Sequence, residues 1–447
     1  MSTQRAQRLL ESPVLPTIAR LAAPGVLLAL FQTAVSIADT YYVGRLGTDA
    51  LAGLALVFPL VMLLQMTSAG AMGGGVSSAL ARALGAGHEA AARRLVTHAL
   101  LIALAAGLGF TVLLLGLGEA LYALLGGKGE ALAQALAYSH VLFAGAVFVW
   151  LANTLASILR GSGNTLAPAL ALAAAALVQI PLSGALTLGW EPFPRLGIAG
   201  AALAYVTAFL VASLGMGASV WRSGLRPRRP DWALEARHFR DILRVGALSS
   251  LSALQTVLTA VILTGFVGTF GTAALAGYGV GVRLELLQVP LVFAIGQALV
   301  VLVGMHIGAG HGARARRFAW TGTAIAAGIS LAIGVFVALF PAAWIRIFSD
   351  DPAVLETGSL YLRIVAPLYP LFGAGMALYF ASQGAGRMLL PVLAGTVRLV
   401  LVVAGGAAVV AFAGPLAAVF AVVAGGIALF GALIISAVYR AKWGSQA

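Results

Sequence analysis

Twelve stretches of this chain are apolar for about twenty residues or more, and such stretches suit only one solvent. A helix of about 20 residues spans the hydrocarbon of a bilayer, and its peptide groups then bond within the helix itself. The stretches lie near residues 15–43, 52–81, 95–117, 133–158, 165–189, 197–221, 242–267, 273–307, 318–342, 357–381, 389–412 and 415–438. Several exceed the minimum, which predicts tilt or extension beyond the membrane. Of 447 residues, 61 % are hydrophobic and 9 % are charged, against about 25 % charged in an ordinary soluble domain. The fold class expected is an all-α polytopic membrane protein. Met1 to Arg20 is polar and has no signal-peptide pattern. Cysteine is absent, which removes disulfides, thiol chemistry and cysteine metal sites.

A net charge of +13 would suggest nucleic acid in a soluble protein. The placement of the charges points to the membrane instead. With the N-terminus inside, the inner segments hold Arg5, Arg8, Arg20, Arg82, Arg93, Arg94 and Arg160, then Arg222, Arg226, Arg228, Arg229, Arg237, Arg240 and Arg244. They go on with Arg314, Arg316, Arg317, Arg387, Arg440 and Lys442. The outer segments hold only Arg45, Lys128, Arg195, Arg346 and Arg363. Such a bias predicts a multi-pass protein of the cell (inner) membrane with both termini cytoplasmic, and a basic face toward lipid. No nucleic-acid partner is expected.

The chain repeats itself. Leu84-Gly85-Ala86-Gly87-His88 recurs as Ile307-Gly308-Ala309-Gly310-His311, each followed by paired arginines, at an offset of 223. Arg160-Gly161-Ser162-Gly163 recurs as Gln383-Gly384-Ala385-Gly386, and Phe31-Gln32-Thr33 as Leu254-Gln255-Thr256, at the same offset. Val43-Gly44 recurs as Val267-Gly268 at 224. The polar stretch 222–241 divides the copies, giving an N-lobe over 1–221, a linker loop, and a C-lobe over 242–447. Six spans per copy is an even number, so the two lobes run parallel. Parallel repeats about an axis along the membrane normal predict a central cavity between them, exposed alternately to the two sides. That is a transporter architecture.

Within the first span one carboxylate stands out. Leu21 to Ala38 carries no charge for eighteen residues, and then comes Asp39. An acid at such a position tends to face a cavity or a partner, which makes it a functional candidate. It could instead snorkel from the helix end to the interface. Pro24, one turn into the run, can seat a bend. Gln32, two turns before Asp39, falls on roughly the same helix face.

Taken together, Ala38-Asp39-Thr40-Tyr41-Tyr42-Val43-Gly44, Ala81-Arg82-Ala83-Leu84-Gly85-Ala86-Gly87, Leu159-Arg160-Gly161-Ser162-Gly163-Asn164-Thr165, Gly197-Ile198-Ala199-Gly200-Ala201-Ala202, Arg283-Leu284-Glu285 and Gln383-Gly384-Ala385-Gly386 resemble the multidrug and toxic compound extrusion (MATE) family of prokaryotic efflux transporters, over essentially the whole chain. The resemblance implies an antiporter that exports organic, usually cationic, compounds against inward flow of protons or sodium ions. It implies that Asp39 lies in a polar N-lobe cavity, lined here by Asn153, Gln179, Ser183 and Tyr205, and that the first helix bends at Pro24. The family's fifth helix usually reads Asn and then, four residues on, Asp. This chain has Gln179 and Ser183 there, so a second carboxylate is missing. Sodium wants several hard oxygen ligands whereas a proton wants one titrating group, so proton coupling is the expectation.

The C-half does not copy the chemistry. The offsets from Asp39 reach Ile262 and Leu263, and the positions where some relatives carry acids read Gln255 and Gln383. Glu285 is the one acid there. Arg283 lies two residues away on a different helix face, so Arg398 is the partner expected for Glu285. Either a structural ion pair or a coupling role would keep these charges in the membrane. The six histidines follow no ligand spacing and read as solvated loop or cap residues. The runs Gly73-Gly74-Gly75 and Gly161-Ser162-Gly163 lack the strand and the following Lys-Ser/Thr of a phosphate loop. They read as close helix packing and a tight turn.

The cycle expected is protonation of Asp39 from outside, loss of its attraction for a bound cation, a shift of the first helix about Pro24, and proton release inside. The two ligands bias one equilibrium in opposite directions. No enzyme activity, cofactor or metal site is expected, and a monomer in the bilayer is. The alternatives are a sodium-coupled exporter of the same kind, a flippase of lipid-linked molecules, a passive channel or receptor, and an importer.

Overall fold

The computed structural model describes residues 2–441 and 443, and every regular element among them is helical. Lys442, counted above among the inner charges, lies outside the described residues. In order, the elements are α1 (Ser2–Glu11), α2 (Val14–Gly44), α3 (Thr48–Gln65), a π-helical run (Met66–Met72), α4 (Gly73–Gly85), α5 (Glu89–Leu124), α6 (Gly129–Ala144), α7 (Ala146–Gly161), α8 (Leu166–Leu188) and α9 (Ile198–Arg222). A 3-10 turn (Arg229–Trp232) leads to α10 (Ala236–Gly268), α11 (Thr272–Gly308), α12 (Gly312–Leu339), α13 (Pro341–Ile345) and α14 (Pro352–Val365). A second 3-10 turn (Ala366–Leu368), then α15 (Tyr369–Gly384), α16 (Leu389–Ala411) and α17 (Leu416–Arg440), complete the chain. Eleven helices or fused runs among the described residues are long and apolar enough to cross a membrane, and α6 with α7 makes a twelfth span.

That twelfth span departs from the single run expected over 133–158. It bends by 50° where α6 meets α7. The corner residue is Gly145, and a Cβ there would collide with the Val206 side chain. Bare backbone at the corner lets α9 press into it.

Two compact units divide the chain: Met1–Glu11 with Ala23–Ala247, and Ser12–Ala22 with Leu248–Ala447. These are not the boundaries expected at 221 and 242. In the first unit, the linker is bonded down rather than free. Arg93 Nε donates to Asp231 Oδ2 at 3.0 Å, and Arg94 pairs with Glu235. The Glu235 N–H donates to His98 Nε2 at 3.0 Å, while His98 Nδ1 faces the Arg94 carbonyl at 2.7 Å. Those two contacts require the neutral ring with its proton on Nδ1. His88 and His311 are exposed helix N-caps and His140 is exposed, as expected, but His98, His238 and His306 are buried, which corrects the expectation for those three. Each sits in the first or last turns of a helix and bonds or stacks inward. In the second unit, Ser12–Ala22 is tied by Arg314 Nη2, which donates to the Ser12 carbonyl at 2.6 Å. The continuous helix α2 thus passes from one unit to the other immediately before Pro24.

The glycine runs serve packing and a turn. A Cβ on Gly73 would meet Ser157 Oγ at 2.5 Å. Gly163, at φ 80, lies in the left-handed region and closes the turn after α7.

Candidate functional site

The site is built on α2 and α8, with an aromatic contact beside it. Tyr42 meets Trp190 edge-on at 5.8 Å between ring centroids. Gly184 makes room for both, since a Cβ there would lie 2.9 Å from Tyr42 Cζ. Tyr42 of α2 thus meets Gly184 of α8 and Trp190 just beyond its end, one turn from Asp39. Gln179 Nε2 donates to Asp39 Oδ2 at 2.9 Å. The Ser183 hydroxyl lies within interacting range of the carboxylate. Yet neither Ser183 Oγ nor Asp39 Oδ1, both buried, meets the geometry of a hydrogen bond. Two neighbouring oxygens with unused capacity are costly in a dry setting. They form a place where a proton or a cation would be stabilised.

A second polar chain belongs to the same unit. Asn153 Nδ2 donates to Gln65 Oε1 at 3.0 Å and to Ser68 Oγ at 2.8 Å, and Gln65 Nε2 donates to the Tyr205 hydroxyl at 2.5 Å. Tyr205 and the buried Tyr138 both lie within electrostatic reach of Asp39. Ser68 belongs to the π-helical run. There the Gly73 N–H reaches back five residues to the Ser68 carbonyl, and the Thr67 and Ser68 hydroxyls bond carbonyls of the preceding turn. The wider π turn and the hydroxyl bonds together place Ser68 against Asn153.

Of the residues singled out in the sequence, the structure joins Asp39 with Gln179, places Ser183 beside them, and joins Asn153 with Tyr205 through Gln65. Gln32 is exposed and is not part of either chain. Pro24 lies within uninterrupted helix. Gln65, Ser68 and Tyr138 were missed. A lone amide in the apolar run Leu60 to Met66 was a usable signal for Gln65; nothing in the residue order announces the π run.

In the second unit the expected Glu285–Arg398 ion pair is not formed. No pair within 4.0 Å joins them; the Tyr361 hydroxyl donates to Glu285 Oε1 instead. Arg398 lies over the Phe430 ring at 5.8 Å, and its buried Nε has no partner. Tyrosine wins because α14 packs closely on α11: a Cβ on Gly281 would collide with the Tyr361 ring. Arg283 is exposed and lies over the Phe348 ring at 5.3 Å. Gln255 Nε2 donates to Thr396 Oγ1 at 2.8 Å, and Gln383 Nε2 to Ser249 Oγ at 2.9 Å. A double-mutant cycle of Glu285→Gln and Tyr361→Phe should give a coupling of about 1.5–3 kcal/mol in thermal unfolding, the range for a hydrogen bond to a charged group. The cycle of Glu285→Gln with Arg398→Leu should give less. The reverse order would restore the ion pair.

An all-helical chain of two sequence-related halves, with a first-span carboxylate in only one of them, defines a two-lobe membrane transporter. The chain belongs to the MatE family, whose model matches residues 24–184 and again 249–408. The double match falls on the two halves of the internal repeat. A FAD transporter of Shewanella oneidensis is 27 % identical over 395 residues, covering 88 % of this chain and 87 % of that one. A probable multidrug resistance protein NorM of Thermotoga maritima is 26 % identical over 383 residues, covering 84 % and 81 %. Among solved structures, a MOP superfamily transporter from Pyrococcus furiosus, described as having a binding pocket of reverse polarity, superposes with a TM-score of 0.88 at 26 % identity, covering 97 % of this chain and 98 % of that one. A MATE structure in the bent conformation matches with a TM-score of 0.88 at 26 % identity, covering 98 % of each chain. The protein is thus a prokaryotic-type MATE transporter of the twelve-helix, two-lobe fold, in a family that includes multidrug exporters.

Proposed function

We propose that this chain is a proton-coupled antiporter that exports organic cations by alternating access, with Asp39 as the coupling group. The observation that carries the reading is the Asp39 carboxylate itself. One oxygen is held by Gln179, the other has no partner, and Ser183 stands where a second acid would be needed for a rich sodium shell. With the carboxylate charged, the pocket attracts a cation. With it protonated, the attraction is gone and Gln179 loses a charge-assisted bond. Proton and substrate therefore compete, and each expels the other. Both termini face the cytoplasm in this reading, following the arginine bias, and no bound cofactor takes part.

The test is purified protein in liposomes with a fluorescent organic cation. Transport driven by a pH gradient alone, and unchanged when a sodium gradient is imposed at equal pH, is the expected result. Transport that vanishes without sodium overturns the proton assignment. Gln255→Ala and Gln383→Ala remove groups that never titrate. They should alter affinity or substrate range and leave the dependence on the pH gradient intact. A second reading, export of FAD, is favoured by the Shewanella relative. FAD accumulation by the same vesicles, indifferent to replacement of Asp39, would support it against the cation reading.

A further inference from the structure

The bonded-down loop between α9 and α10 borders an open hollow of about 520 Å³ whose polar lining includes Arg226, Arg228, Arg229 and Ser223, with Trp221 and Trp232 at its walls. No carboxylate lines it. The two acids of the loop are already used: Asp231 accepts from Arg93, and Glu235 pairs with Arg94 and Arg237. Asp231 also holds the loop in shape, since its Oδ2 accepts from the Arg228 N–H at 2.9 Å. The geometry therefore removes the negative charges and leaves three guanidinium groups around one hollow. Arg226 is stacked on Trp221 at 4.6 Å, which fixes its plane and leaves its N–H edges open.

The walls of this cavity are apolar and face outward. Trp221 and Trp232 are 53 % and 57 % exposed, and Leu234 is also exposed. Large aromatic side chains left open beside arginines are the signature of a membrane–water interface. From Trp221 an outward strip runs along α9 through Leu214 and Val211, both exposed and at helical spacing. A soluble anion would need the arginines alone. Such a strip faces the acyl region of a bilayer, so an anion held by the arginines at its end would lie at headgroup level, beside acyl chains.

We propose that this loop is a binding site for an anionic phospholipid. Its phosphodiester sits among Arg226, Arg228 and Arg229, and its acyl chains lie along Trp221, Leu214 and Val211. Guanidinium forks match the paired oxygens of a phosphodiester, and basic pockets at helix ends hold anionic headgroups. The site would fasten the chain segment joining the two halves to the leaflet beside it. The proposal does not depend on the coupling ion or the exported substrate.

The test uses full-length protein in nanodiscs of equal parts phosphatidylglycerol and phosphatidylcholine with matched acyl chains. Lipid retained on the protein is read by native mass spectrometry. The unaltered protein should retain phosphatidylglycerol in preference. An R226Q/R228Q/R229Q triple variant should lose that preference by about tenfold or more. A control of equal charge loss elsewhere, R8Q/R240Q/R317Q, should keep it. W221A/W232A, which changes only exposed side chains and so should fold, should also retain less. About 10 mM inorganic phosphate should not displace the lipid. The proposal fails if the site triple retains as much phosphatidylglycerol as the unaltered protein. It fails equally if the control triple loses as much, which means general charge, or if inorganic phosphate displaces the lipid, which means a site for a free anion.

Discussion

Asparagine in place of Asp39 is expected to give a folded protein in which cation export under a pH gradient falls to the level of protein-free vesicles. The substitution is nearly isosteric. The carbonyl of the introduced amide can still accept from Gln179 Nε2, and its NH2 group can donate to Ser183 Oγ, which has no partner in the native protein. Folding should therefore be untouched, while the carboxylate of the pocket is gone. The sign of the pH effect follows from competition. Binding a cation to the charged pocket releases a proton. Native affinity should thus rise with pH, by up to about tenfold per unit while Asp39 is mostly protonated, and level off once it is ionised. The Asp39→Asn protein should bind with one affinity across that range. Binding against pH and export against gradient, measured at matched protein levels, check both statements. Normal export by the Asp39→Asn protein would move the search to Glu285.

Gly200→Ala should be among the most damaging single-methyl additions in the chain, and Gly215→Ala, farther along the same helix, should do no harm. A Cβ on Gly200 would lie 2.5 Å from the Leu186 carbonyl carbon and oxygen, atoms of backbone that cannot rotate away. Space around Gly215 is open. The first change must push α9 off α8, at a cost of several kcal/mol, roughly 3 or more. The second should stabilise by about 0.5–1 kcal/mol through helix propensity. Thermal unfolding in one detergent, for both variants beside the native protein, reads the difference. Because α8 also carries Gln179 and Ser183, any Gly200→Ala protein that survives should bind cations poorly as well. Equal melting temperatures for the two variants would mean that α8 and α9 are not in tight contact at Gly200.

The helices were legible because burying a backbone in hydrocarbon leaves the chain almost no other choice, and the repeat was legible because its marker residues keep one spacing. Asp39, Gln179 and Asn153 were legible for the same reason: a polar group in an apolar run is costly and seldom idle. What residue order could not give is who answers whom. Glu285 looked to Arg398 for charge, but the glycine-lined contact of α11 and α14 puts Tyr361 there first. Gln65 is equally a polar group in an apolar run, but its role depends on Asn153 and Tyr205 from elsewhere in the chain. The linker reads in the sequence only as a polar loop, because residue order does not say which of its charges meet. In three dimensions Asp231 and Glu235 are each matched to an arginine of α5.

The π-helical run has a consequence for how sequences of this kind can change length. In a membrane helix, losing one residue turns everything beyond it by about 100°, which would swing buried faces toward lipid. Between Met66 and Met72 the backbone already carries bonds that reach five residues back instead of four, so it stores a surplus residue. Removing one residue there should relax the run to ordinary α-helix and leave the faces of α3 and α4 where they were. Removing one elsewhere between Thr48 and Gly85 should not be survivable. Single-residue gaps between this chain and its relatives, within this span, are therefore expected to gather at residues 66–72. The polar cluster around Asn153 would be rebuilt in each relative according to whether the extra residue is kept.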